Sequence, residues 1–179
     1  VDAEDRDGPP RALLIAAVVV AVGAAIAVLV IAAVRQTPAE QQVVGIVAVP
    51  APQAQSEDCD ALTAALPDKL GDFDRARVAD PAPPGAAAWR TDPEREAIIL
   101  RCGLVRPADF VVGAPLQVVD AVSWFQVSEQ GRSTWYAVDR PVYIALTLPP
   151  DSGPTAIQEI SDVIAKTLPA KPIDPAPVG

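Results

Sequence analysis

Three sets of residues in this chain are of types that can do chemistry: two neighbouring acids, two cysteines, and a cluster of aromatics with arginines. Asp72 and Asp74 flank Phe73 and offer paired carboxylates, the groups needed for general acid–base work or for holding a divalent cation. Alternate acids in a polar loop read as solvated, and no EF-hand-like spacing accompanies them. Cys59 and Cys102 are far from a C-x-x-C spacing, so a redox role is not indicated. Trp124, Trp135, Tyr136 and Tyr143, with Arg132 and Arg140 nearby, are the residue types that line a groove for a glycan, a lipid or a peptide strand. The same aromatics also suit the core of a small, aromatic-poor domain, and that reading stays open.

Nucleophilic catalysis finds little support. The chain has no His, so imidazole bases and the commonest zinc ligand are excluded. No G-x-S-x-G is present, and a serine mechanism would need Lys69, Lys166 or Lys171 as its base, all in exposed-looking contexts. No catalytic residue, metal site or cofactor is assigned. The reading leans away from an enzyme, with a carboxylate-based hydrolase as the remote alternative. Net charge is -9, which makes nucleic acid an improbable partner and disfavours docking of the domain on anionic lipid. The chain also lacks Asn and therefore any N-glycosylation sequon.

The elements that must position these groups begin with Ala12–Val34, an uncharged, proline-free apolar run of 23 residues. As a helix it would be about 34 Å long, enough for a hydrocarbon core of about 30 Å. It is read as a transmembrane helix, with residues 1–11 as a disordered cytoplasmic tail and residues 35–55 as a Pro-rich stalk. Two arginines before the run against one after it favour a cytoplasmic N-terminus. A cleaved signal peptide is the rival, but its apolar region would be shorter and end at a small-x-small site. Whether residues 43–49 form an edge strand or an extended spacer is left open.

Residues 56–168 are read as one α+β domain. A short helix starts at Ser56 or Asp58 as N-cap and ends at Pro67, with Cys59, Leu62, Ala65 and Leu66 on one face. Residues 67–95 are read as loop-rich, anchored by Trp89. Glu96–Cys102 is read as a strand with Ile98, Leu100 and Cys102 on one face and Arg101 on the other, paired with an acid such as Asp120 or Asp139. Val122–Ser128 and Ser133–Val138 form a hairpin turned at Gly131; pairing Ser128 with Ser133 sets Phe125 opposite Tyr136 and Trp124 opposite Ala137. Val142–Leu148 alternates, with Val142, Ile144, Leu146 and Leu148 inward. A final helix runs from about Pro154 to Leu168, and residues 169–179 are read as a disordered Pro-rich tail. The expected architecture is an antiparallel sheet of about four strands with helices packed on it, preceded by one transmembrane helix.

A helix packed on the Glu96–Cys102 strand would bring Cys59 to Cys102. A disulfide there would close a long loop, worth on the order of 4 kcal/mol by chain entropy, and would place the domain in an oxidising compartment. Two buried free thiols are the alternative.

Cys59–Pro67, Ile99–Val105, Val122–Trp124 and Trp135–Tyr143, including Asp139-Arg140-Pro141-Val142-Tyr143, resemble the actinobacterial DUF3515 family. The likeness covers roughly residues 43–168 and rests on cysteines and aromatics. It implies a membrane-anchored extracytoplasmic domain of the cell envelope and no assigned activity. The expected function is a single-pass, plasma-membrane binding or accessory module, held by residues 12–34 and partnered by an envelope or cell-wall protein. The alternative is a small-ligand or lipid carrier with a pocket near the aromatic hairpin.

Overall fold

The computed structural model describes residues 11–35, 43–129, 131–150 and 152–178. The chain divides into two compact units, Val1–Glu40 and Gln41–Gly179. In the first, α1 (Arg11–Arg35) is one continuous helix whose side chains from Ile15 to Val30 are exposed. Of the expected tail at residues 1–11, residues 1–10 lie outside the described residues and Arg11 opens α1. Among the described residues no helix is long and apolar enough to cross a membrane, which corrects the transmembrane expectation.

The second unit also corrects the expected four-stranded sheet. In chain order it holds β1 (Val43–Val44), α2 (Glu57–Ala65), β2 (Lys69–Leu70), β3 (Phe73–Val78), β4 (Ala86–Arg90), β5 (Ile98–Leu104), β6 (Leu116–Val119), β7 (Val122–Glu129), β8 (Arg132–Ala137), β9 (Tyr143–Leu148) and α3 (Thr155–Thr167). These strands make one nine-stranded mixed sheet in the order β1-β3-β4-β5-β9-β8-β7-β6, with β2 on β3. Only β1 on β3 is parallel. The extra strands came from segments with weak β signals: β4 is mostly alanine, β3 carries Asp74, Arg75 and Arg77, and β6 has four residues. The β6–β7 turn is Asp120-Ala121, both at positive φ (43° and 64°), in a two-residue loop where Asn-Gly or Asp-Gly would be the usual signal.

One face of the sheet carries the main core. Trp89, Ile98, Leu100, Cys102, Trp124, Ile144 and Leu146 point inward against Cys59 and Leu62 of α2 and Ile157, Ile160 and Ile164 of α3. Ser56 caps α2, its Oγ accepting from the Cys59 amide at 3.3 Å. Cys59 and Cys102 are joined by a disulfide with Cα atoms 5.6 Å apart. The hairpin register is the expected one, with Trp124 opposite Ala137 and Phe125 opposite Tyr136.

Among the described residues, the opposite, outer face carries apolar clusters toward its two ends. Toward β3, Val44 packs on Ala76 and Ala88. Toward β7, Phe110 and Val138 pack with Phe125. The segment read as a stalk therefore lies along the sheet: the Ala79 amide donates to Val44 O (2.9 Å), and the Gln53 amide to Gly103 O (3.0 Å). The Pro-rich C-terminal stretch is also laid down, with Val112 N donating to Ala176 O and Ala176 N to Phe110 O, both at 2.9 Å.

Gly103 makes the crossing of the first segment possible. It sits at a register shift in β5 with φ +81°, and a Cβ there would stand 2.2 Å from the Ala54 amide nitrogen. No flexible side chain can yield, because the obstacle is backbone. A Gly103→Ala substitution is expected to lower unfolding free energy by about 3 kcal/mol or more, or to abolish folding, read by urea denaturation. Replacing both cysteines by Ala is expected to remove roughly 2–4 kcal/mol in the same assay, without moving the wild-type baseline under non-reducing conditions.

Candidate functional site

The aromatics and arginines singled out in the sequence are distributed over both faces of the sheet. Trp124 is fully buried on the inner face, where its Nε1 donates to Ser161 Oγ (2.9 Å), and that hydroxyl donates to Ile157 O (2.7 Å). Trp135 is half-buried against the same core. Tyr136 and Tyr143 face outward and are half-buried. Burial raises the pKa of both phenols, opposed for Tyr136 by Arg101 and for Tyr143 by Arg106. Tyr143 OH donates to Asp174 O at 3.4 Å.

Arg140 is 3% exposed. Its Nη1 donates to Asp139 O (2.9 Å) and its Nη2 to Ala121 O (2.8 Å), while the Asp139 carboxylate lies 2.9 Å from Nη1 and its other oxygen accepts from Ser123 N (2.8 Å). This cluster ties the β6–β7 turn to the chain entering β9. It also occupies Asp139, one of the acids expected to meet Arg101.

Arg132 is exposed and forks onto Glu96, with Nε 3.1 Å from Oε2 and Nη2 on Oε1. The hydrogen bonds from Arg132 hold the Glu96 carboxyl below its ordinary pKa. Asp74 is taken by Lys69 at 2.9 Å, and among the described residues no group of three or more His, Cys, Asp or Glu is placed to hold a metal ion.

What the outer face does present is a trough over β5, β9 and β8. The sheet register places Arg101 beside Ala86 and Ala145, and Ala145 beside Tyr136. One step along, Ile99, Thr147 and Thr134 line up, with the two hydroxyls 3.1 Å apart. Two hollows open here. One of about 400 Å³ is lined by Glu96, Ile99, Arg101, Arg132, Thr134 and Thr147 among others. The other, of about 380 Å³, runs from Arg101 and Tyr136 to Val49 and Pro50 on one side and Val105 and Pro107 on the other. The walls are the two segments that cross the outer face, which the sequence read as stalk and left without an element. Small residues at 86 and 145 keep the floor low beside Arg101.

Arg101 is the cation that lines both hollows. Its Nη2 donates to Val47 O at a long 3.5 Å, and its Nε is buried without a hydrogen-bond partner among the described residues. Burial lowers its pKa, opposed by the Tyr136 phenol. The expectation that it pairs with Asp120 or Asp139 is corrected: no described ion pair joins Arg101 to an acid, and Asp139 is held by Arg140. Its outward direction was legible from the strand period, but the crossing of residues 50–54 against the sheet was not, and an edge strand at 43–49 was only one of two readings.

The chain matches the family described as "Protein of unknown function (DUF3515)" over residues 18–173, and it belongs to that family. Comparison with curated proteins and with solved structures gives no match.

Two arginines of the aromatic set should separate cleanly. Arg140→Ala leaves the Asp139 carboxylate without its buried cation and is expected to cost about 3 kcal/mol by denaturant unfolding, whereas exposed Arg132→Gln is expected to leave the midpoint unchanged. The Glu96–Arg132 pair has a defined pH sign. Because the folded carboxyl pKa is lowered, its contribution is present above the ordinary carboxylate value and is lost as pH falls through the lowered one. Carboxyl NMR is expected to show Glu96 titrating below the ordinary glutamate range in the wild type and returning to it in Arg132→Gln.

Proposed function

We propose that this member of the DUF3515 family is an extracytoplasmic binding module of an actinobacterial cell envelope, which receives its partner on the outer face of its sheet. The observation that carries the reading is the trough itself. A sheet face left uncovered at its centre, walled by two crossing segments, exposes polar, apolar and cationic side chains that the inner core does not use. Mixed linings of this kind orient a ligand by a few polar groups and hold it by apolar contact. The Cys59–Cys102 disulfide supports an oxidising compartment. The abundance of Ala, Pro and Arg supports a GC-rich bacterial source.

A small-ligand carrier is the second reading. The hollow of about 380 Å³ beside Tyr136 favours it, since its volume falls in the range of small-molecule sites, about 300–1,000 Å³.

Two measurements test the reading. In intact cells, Cys59 and Cys102 are expected to resist a thiol-alkylating reagent until a reductant is added; ready labelling without reductant contradicts the extracytoplasmic assignment. A photo-crosslinking residue at exposed Val105 is expected to give a saturable cross-link to one defined envelope species, absent when the same residue stands at Asp162 on α3. Equal capture from both positions, or none from Val105, removes the outer face as the binding surface.

A further inference from the structure

We propose that the Tyr136-lined hollow of the outer trough takes an amphiphilic anion, a ligand with an apolar body and a carboxylate or phosphate group that docks on Arg101. The inference rests on the reading of the outer face as a binding surface and names the ligand chemistry of that site.

Charge is the first support. The protein is net -9, yet the hollow contains two arginines, Arg101 and Arg106, and no acid among its lining residues. These two cations differ in availability. Arg106 already has an anion, with Nη1 3.4 Å from Asp174 Oδ2 and 3.2 Å from Asp174 O. Among the described residues Arg101 has only the long bond to Val47 O, and its Nε is buried without an acceptor. A guanidinium partly withdrawn from water and short of acceptors is costly, and a carboxylate or phosphate accepting from its two Nη groups would satisfy it as a forked pair. The neighbouring donors are suitably neutral: Thr134 and Tyr136 line the same hollow, and the raised pKa of the phenol keeps Tyr136 a hydrogen-bond donor.

The apolar walls are the second support. Val49, Pro50, Leu104, Val105, Pro107 and Ala145 surround the cation, and Val49 and Val105 are 44% and 53% exposed. A purely hydrophilic anion would leave those surfaces wet, while an apolar chain would cover them. The prolines hold both walls without offering amide donors. Arg101 also lines the adjoining hollow, but there Glu96 is already engaged by Arg132 and Glu129 adds a negative charge that opposes an anion. The anion is thus favoured on the Tyr136 side of Arg101.

Calorimetric titration of the full chain with four probes tests this. Octanoate and octyl phosphate carry both features, octanamide is the neutral counterpart, and acetate lacks the apolar chain. Octanoate or octyl phosphate is expected to bind at least tenfold more tightly than octanamide and acetate. Whichever of the two binds better identifies the carboxylate or the phosphate source. Arg101→Gln is expected to weaken the anionic probe at least tenfold and to leave octanamide unchanged, whereas Arg95→Gln, outside this hollow, is expected to change neither. If the Gln variant does not fold, Arg101→Lys, which keeps the charge but loses the fork, is expected to weaken the same probe. Octanoate and octyl phosphate binding no better than octanamide, or binding untouched by the Arg101 variants, overturns the proposal. A Val105 cross-link that persists beside such a failure leaves the outer-face reading standing and removes only the anion.

Discussion

The covalent link between Cys59 and Cys102 is the constraint around which the second unit is arranged. It fixes α2 to β5, a strand inside the sheet, across 43 residues of sequence that contain β2, β3 and β4. Three consecutive residues of β5 then act in three directions. Cys102 points into the core to the helix, Gly103 lets the chain at residues 53–54 pass against the strand, and Arg101 points to the outer face. The same register that buries one side chain therefore determines which cation the trough receives. A slip of one residue would exchange the disulfide and the arginine between faces.

The two faces differ in how completely they are closed. On the inner side, helices α2 and α3 cover a continuous apolar layer, and even its buried polar groups, the Trp124 indole and the Ser161 hydroxyl, are hydrogen-bonded. On the outer side, coverage comes from extended segments. These include residues 43–54 and the Phe110 loop with the C-terminal stretch paired to it. Extended segments cover less width than a helix, so the centre of the sheet stays open between them. The trough follows from that economy of cover.

Much of the inner architecture was legible from the residues. A candidate N-cap at Ser56 or Asp58 and the stop at Pro67 marked α2, the alternation of Val142, Ile144, Leu146 and Leu148 marked β9, and the hairpin register followed from its Gly131 turn. The disulfide was legible because a helical face and a strand face each presented one cysteine. What was not legible depended on long-range contact. Alanine at 86–88 has little strand preference, and only pairing with β3 and β5 makes it a strand. Residues 50–54 and 169–178, rich in proline, read as linker and tail, and residues 43–49 stayed open between edge strand and spacer, because their hydrogen bonds go to partners far along the chain. The aromatic set was legible as a hairpin but not as a site: Trp124 belongs to the core, Arg140 to a turn, and Tyr136 to the trough. Arg101 could be seen pointing outward, but its lack of an acid could be learned only from the fold.

With Arg106 engaged by Asp174, Arg101 is the guanidinium of the Tyr136-lined hollow left for the proposed anion. Arginine Nε–Hε NMR of the full chain, titrated with octanoate at constant ionic strength, tests it most directly. The Arg101 resonance is expected to shift first and saturate, while Arg106 and Arg132, already engaged by Asp174 and Glu96, move little. A spectrum in which Arg101 stays still, or in which all three move together without saturation, would contradict it.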